Sequence, residues 1–436
     1  MSRKILALAL LCLAAAGPGG AQKTDPIRRA VWENGLTVIT ETDDSSPITV
    51  LEIVVRGGRR SDPAGREGLS YLTTRLTLEI PDESKVRELM EKSSRYQMTS
   101  RGDESVIHLE CLTEFLDDTL AVLLRILDDP LFSGLRIQHV RDFMDNQRQI
   151  EADDNLSLGR IALLEALLGP LGYGGSAYGA KTALAAIRAR EIQAFYEERY
   201  RPANMILVSI SDLAPADLDS VLRKHFGRFK AGKTPPPPAP AGKAPESIRA
   251  ATPTRETIIE KDTLQVLVSV GFALPAASPK TYAAGLLLES LLGNGPGSRL
   301  WPLRTERKLA YDVNARAEMY SAGGLFEAYL ETDGAKRDEA RNALTEALRS
   351  VWESGVVEDE LSAAKAFART DLLRSNETKS RRASTLGELE ALGLGAERFS
   401  GLFADLDSIS LAEINAFIRE WLATEKGWLV LVGPKR

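Results

Sequence analysis

Hydrophobic residues follow two rhythms along this chain, and the rhythm assigns the elements. Residues 36–40 and 48–55 are rich in β-branched side chains and predict strands. A turn at Arg101-Gly102-Asp103 predicts a hairpin joining residues 96–99 to 106–112. Leu116, Leu120, Leu123, Leu124 and Leu127, then Ile161, Leu164, Leu167 and Leu168, recur at helical spacing. Further on, Leu264, Val266, Val268, Val270 and Phe272 alternate strictly and predict another strand. Residues 282–292 predict a helix, and a hairpin near residues 321–324 precedes long helices over 337–354 and 358–375. Hairpins flanked by long helices predict an α+β fold, with a largely antiparallel sheet covered by helices in each half.

The pattern breaks between residues 230 and 253. Four consecutive prolines at 235–238, then Pro240 and Pro245, stand among Ala, Gly and Lys. Such a segment stays extended and cannot pack a core, so it reads as a linker over residues 231–253. It separates a domain at 22–230 from one at 254–436. The two are related by a repeat at an offset of 222 residues: Glu191-Ile192-Gln193-Ala194-Phe195 matches Glu413-Ile414-Asn415-Ala416-Phe417. In both copies this helix leads into an apolar run, at residues 206–210 and 428–432. The same order of helix and buried strand at the end of each half predicts a duplicated domain.

The first 21 residues form a segment of a different kind. Arg3 and Lys4 precede an apolar run at residues 5–16, and small residues end it at Gly19-Gly20-Ala21, the pattern of a cleaved export signal. An exported product is therefore expected, periplasmic in a Gram-negative cell. No later stretch approaches the roughly 18 apolar residues of a membrane span. Loss of Arg3 and Lys4 would take the net charge from −6 to −8, which disfavours nucleic acid as a partner because phosphate binding needs a basic surface. Only Cys111 remains after cleavage, so no intrachain disulfide framework is expected; it reads as a small buried hydrophobe on a strand.

Common catalytic motifs are missing. Three histidines, His108, His139 and His225, all lie more than five residues apart, so no helical pair of imidazoles can be written. His108 and Cys111, three apart on a strand, point to opposite faces. Residues 293–298 resemble a phosphate loop only superficially and read as a helix terminator. Ser176, in Gly174-Gly175-Ser176-Ala177-Tyr178-Gly179, lacks the glycine that a nucleophile elbow needs at Tyr178.

With these elements placed, several blocks resemble one family in its order: the M16, or pitrilysin-like (insulinase), peptidases, which include the mitochondrial processing peptidases. The blocks are Glu33-Asn34-Gly35-Leu36-Thr37-Val38, Arg56-Gly57-Gly58-Arg59-Arg60, Gly68-Leu69-Ser70-Tyr71-Leu72 and Tyr200-Arg201-Pro202-Ala203-Asn204-Met205. In the second half they are Gly297-Ser298-Arg299-Leu300 and Leu303-Arg304 through Leu309-Ala310-Tyr311-Asp312-Val313. The resemblance covers nearly all of the chain beyond residue 21. It implies two homologous halves of the LuxS/MPP-like metallohydrolase fold.

Active members carry the zinc motif H-x-x-E-H where this chain has Tyr71, Thr74 and Arg75. A phenol, a hydroxyl and a guanidinium replace two imidazoles and a general base, and a fixed positive charge repels Zn²⁺. The family's third ligand, a downstream glutamate, maps onto Gln147, or onto Glu151 if the register slips. The resemblance thus implies a first half without metal and a chain inactive alone. By the same resemblance Arg304 and Tyr311 match an arginine and tyrosine that bind substrate backbone near the scissile carbonyl. The expected role is the non-metal-binding subunit of a two-component zinc peptidase. A partner with H-x-x-E-H would supply the zinc, and peptides or unfolded segments would be the substrate. Two alternatives stand beside it: a stand-alone pseudopeptidase that binds peptides or scaffolds envelope proteins, and a self-sufficient enzyme with unusual ligands.

Overall fold

The computed structural model describes residues 27–78, 83–92, 94–128, 130–229, 255–293 and 295–435. The signal-like segment at 1–21 and the proline segment at 231–253 lie outside the described residues.

Two sheets organise the chain. The first contains β1 (Arg28–Val31), β2 (Thr37–Thr42), β3 (Ile48–Arg56), β4 (Arg95–Ser100), β5 (Glu104–Leu112) and β6 (Met205–Ser211), in the order β1-β2-β6-β3-β5-β4. The second contains β7 (Glu256–Glu260), β8 (Gln265–Leu274), β9 (Asp312–Met319), β10 (Gly324–Asp333) and β11 (Trp428–Gly433), in the order β7-β11-β8-β10-β9. The pairing repeats: β6 runs parallel to β2 and antiparallel to β3, as β11 runs parallel to β7 and antiparallel to β8. Helices of the first half are α1 (Leu69–Leu78), α2 (Glu83–Glu91), α3 (Leu116–Asp128), α4 (Gly134–Asp153), α5 (Asn155–Leu168), α6 (Lys181–Ala186), α7 (Ala189–Arg199) and α8 (Pro215–Phe226). Those of the second are α9 (Pro279–Leu292), α10 (Trp301–Thr305), α11 (Arg337–Ser354), α12 (Glu358–Arg374), α13 (Lys379–Ala391), α14 (Leu402–Ser408) and α15 (Leu411–Trp421). The α+β class and the duplication read from the sequence both hold.

One face of each sheet is covered by its own half. Leu51, Ile53, Val55, Ile107 and Leu109 pack on α3 and α8, while Val266, Val268, Val270 and Phe272 pack on α9, α11 and α15. The opposite faces are covered by an exchanged helix. Leu163, Leu164 and Leu167 of α5 pack on Leu267, Val430 and Val432 of the second sheet. Ala383 and Leu386 of α13 pack on Val54, Ile206, Val208 and Ile210 of the first. The 222-residue offset carries α5 onto residues 377–390, the place of α13, so the exchange is reciprocal. Each helix also brings an arginine to a buried glutamate of the sheet it covers, though on strands that do not correspond: Arg160 reaches Glu327 of β10 at 3.1 Å, and Arg382 reaches Glu41 of β2 at 2.6 Å. The alternation at 264–272 identified the strand but not the fate of its second face. Leu267 and Ser269 are buried too, and Ser269 donates to Glu327 at 2.8 Å.

The two hairpin turns meet where the halves join. Asp103, in the β4–β5 turn, accepts from the Tyr173 hydroxyl at 2.8 Å and from the amide and hydroxyl of Ser321 at 2.7 and 2.6 Å, in the β9–β10 turn. Its backbone carbonyl accepts from the amides of Gly57 and Gly58 at 3.0 Å. Gly102 is required by close approach: a Cβ there would lie 2.7 Å from the Tyr320 ring and 2.9 Å from that of Tyr173.

Beside this turn, Arg101 of the first half lies 3.6 Å from Glu104 and 3.5 Å from Glu388 of α13. Burial pushes the Glu104 carboxyl up to about 8; the Arg101 guanidinium opposes the rise, while Glu388 and Asp103 add to it. The folded protein holds this proton to higher pH than the unfolded chain, whose carboxyl titrates near ~4. Native stability therefore falls as pH rises from about 4 toward 8. Glu104→Gln should be more stable than wild type at pH 8.5 by on the order of 1–3 kcal/mol, with the difference vanishing near pH 4. Urea midpoints that move together at both pH values would refute this.

Candidate functional site

Asp62 fixes the start of α1, its carboxylate accepting from the amides of Gly68 and Ser70, both at 2.7 Å. A carboxylate at a helix N-terminus satisfies amides that have no helical partner and complements the dipole. The helix is buried along nearly its whole length and lies against α4 and α7. Gly179 permits this, since with φ of +66° a Cβ there would strike the Glu67 carbonyl at 2.0 Å.

Tyr71, Thr74 and Arg75 are each engaged within the chain. The buried Tyr71 ring meets Tyr178 edge-on at 4.7 Å between centroids. Burial, then Tyr178, pushes its phenol well above the usual range, so it stays neutral. The Thr74 hydroxyl donates to the Ser70 carbonyl at 2.8 Å and accepts from Tyr200 at 2.7 Å. Arg75 lies over the Phe143 ring of α4 at 4.7 Å. On α4, Gln147 is half-buried, and Glu151 follows one turn later on the same face. Glu151 accepts from Ser176 at 2.5 Å; burial raises its carboxyl, with Ser176, Arg59 and Arg148 opposing. Its charge also raises the phenols of Tyr71 and Tyr178.

These residues do not fit a zinc ion. A catalytic zinc takes three nitrogen, sulfur or carboxylate ligands and an open position, and this set offers one carboxylate beside a fixed cation and a neutral phenol. Among the described residues no group of three or more His, Cys, Asp or Glu gathers to hold a metal. Ser176, flagged by its glycine-rich surroundings, bonds to Glu151, which no sequence spacing had linked to it.

A second polar cluster lies under α13. His108 Nδ1 is 3.1 Å from Glu52 Oε1, and Ser384 donates to the same oxygen. Serine and imidazole share the Glu52 carboxylate, so this is not the serine–histidine pair of a nucleophilic triad. Cys111 is buried in the core on the opposite face of β5, as its spacing from His108 predicted.

Arg304 and Tyr311 stand on the surface of the second half. Arg304, on α10, is exposed and stacks over Trp301 at 5.3 Å. Tyr311, immediately before β9, is 57% exposed, and its hydroxyl donates to Asp333 at 3.1 Å. The Leu309 amide bonds to the Leu303 carbonyl at 2.9 Å, closing the loop between them. Both side chains are therefore at the surface, Tyr311 with its hydroxyl held by Asp333.

The fold and this site define a duplicated α+β protein in which no metal-binding group gathers among the described residues. Residues 186–367 match the profile described as Peptidase M16 inactive domain. An uncharacterized zinc protease of Mycobacterium tuberculosis (strain H37Rv) is 24% identical over 414 residues, covering 93% of each chain. The non-peptidase homolog YmxG of Helicobacter pylori is 24% identical over 408 residues and 92% of each. The crystal structure of a peptidase M16 inactive domain from Pseudomonas fluorescens superposes with a TM-score of 0.82 at 17% identity, over 94% of this chain and 98% of that one. Over residues 186–367 this chain thus matches the inactive-domain model of the M16 peptidases, and over nearly its whole length it is similar to zinc protease homologues and to a non-peptidase homolog.

Proposed function

We propose that this chain is the non-metal-binding subunit of an exported two-chain M16 peptidase, periplasmic in a Gram-negative cell. A partner with H-x-x-E-H supplies the zinc, and this chain supplies Arg304 and Tyr311 to hold the peptide. One contrast carries the reading. The former ligand positions Tyr71, Thr74 and Arg75 are locked into intrachain contacts, whereas Arg304 and Tyr311 are exposed. A guanidinium and a phenolic O–H can grip a peptide carbonyl and oppose the negative charge that develops as water adds.

The test is reconstitution. The chain is purified from its native host, a co-eluting H-x-x-E-H protein is identified, and peptide hydrolysis is measured for each protein and for the mixture. The isolated chain should bind no stoichiometric zinc and cleave nothing, and the mixture should cleave in a chelator-sensitive way. About one tightly held zinc per isolated chain, with hydrolysis free of any partner, would overturn it. A second reading, peptide binding or scaffolding without hydrolysis, draws on the relative named a non-peptidase homolog; assembly without turnover in the mixture would select it.

The proline segment is the proposed spacer between the halves, extending about 3.1 Å per residue. Limited proteolysis should nick within residues 230–243. Because α5 and α13 each pack on the opposite sheet, the two fragments should still co-elute under native conditions. Early cutting inside α5 or α13 would place the boundary elsewhere.

A further inference from the structure

The cleft between the halves holds a polar constellation that needs no partner chain. It encloses about 200 Å³ and is lined by Arg59, Glu151, Arg160, Ser176, Glu318 and Tyr320. Two buried donors there lack an acceptor: the Nε–H of Arg59 and the hydroxyl of Tyr320, a residue only 3% exposed. A buried donor without a partner forfeits its hydration and receives nothing in return.

The positions of both are enforced. Arg59 donates through Nη1 to the Gly175 carbonyl at 2.8 Å. The Tyr320 ring stacks on Tyr173 at 4.4 Å, with 18° between the planes. Burial pushes the Tyr320 phenol up to about 12, so it stays a donor, and the charges of Arg160 and Arg59 both reach it. Arg160, ion-paired to Glu327 and Glu318, adds a second guanidinium beside Arg59. Ser176 is already committed to Glu151. Glu151 and Glu318 are engaged by Ser176 and Arg160, so what Arg59 Nε and the Tyr320 hydroxyl lack is an acceptor of their own.

We propose that this cleft binds the free C-terminal carboxylate of a short peptide, with Arg59 and Tyr320 as its donors. A planar carboxylate offers two oxygens matched to a guanidinium edge. A phosphate dianion would meet the carboxylates of Glu151 and Glu318, so a single negative charge suits the site better. Ile161 and Leu164 of α5 also line the cleft, and they give the terminal side chain an apolar wall. This site does not rest on the partner-dependent reading, because all of its residues belong to this chain.

The experiment is calorimetric titration of the isolated full chain with tri-alanine, tri-alanine amide, acetate and inorganic phosphate. Tri-alanine should bind saturably, and its amide and acetate at least about tenfold more weakly, the difference made by one charge-assisted hydrogen bond or by the lost side chains. Tyr320→Phe keeps the stacked ring and removes only an unpartnered hydroxyl. It should melt no lower than wild type while binding tri-alanine about tenfold more weakly. Arg59→Gln should abolish the preference for acid over amide. Equal binding of acid and amide, unchanged affinity in Tyr320→Phe, acetate binding as tightly as tri-alanine, or saturable binding by phosphate alone would each overturn the assignment.

Discussion

Asp103→Ala should destabilise the folded chain by about 3–5 kcal/mol, the range for removing one partner from a buried charged network. The variant deletes the acceptor for the Tyr173 hydroxyl and for both donors of Ser321, and leaves Arg60, 3.8 Å away, without that carboxylate. The backbone carbonyl still holds the Gly57 and Gly58 amides, so the β4–β5 turn itself should persist. The loss therefore falls on the junction between the halves. Asp103→Asn keeps one of the two acceptor oxygens and no charge, and should cost less than alanine. Urea unfolding followed by tryptophan fluorescence gives the stability change, and native limited proteolysis shows whether the halves loosen together. An alanine variant within about 0.5 kcal/mol of wild type would show that the turn contact is incidental.

Arg304→Ala, assembled with a wild-type zinc partner, should lower kcat for peptide hydrolysis on the order of 10²-fold to 10³-fold if the guanidinium meets the developing oxyanion. An effect confined to KM would place it on the ground-state carbonyl. Tyr311→Phe should reduce turnover in the same assay with the ring retained. In the free chain its hydroxyl is held by Asp333, so it must leave that carboxylate to reach a peptide. Neither side chain packs into the core, so both variants should fold and assemble. Size-exclusion chromatography confirms the complex before turnover is measured. Full activity in both assembled variants would leave this chain a scaffold and refute the role in trans.

Much of this molecule follows from residue type and spacing. The leucine periods, the alternation at 264–272 and the two hairpin turns reflect local geometry, and each element stands where they placed it. The chemistry of Tyr71, Thr74 and Arg75 is equally local, because no packing turns a guanidinium or a phenol into an imidazole. Duplication showed through one helix motif and the strand after it.

Other features depend on residues far apart in the chain. Gln147 and Glu151 share a face of α4, and only the tertiary structure brings Ser176 onto Glu151. Ser269 and Leu267 alternate with the core residues of β8, and α5 from the other half covers that second face. Arg59 and Tyr320 come from opposite halves and share a cleft without any motif to join them. The sequence determined the elements and their duplication, since these rest on neighbours within a few residues. The exchange of α5 and α13, the Asp103 junction and the unpartnered donors of the cleft were decided by tertiary structure, because a sheet with two apolar faces must be covered on both and nothing local specifies by which helix.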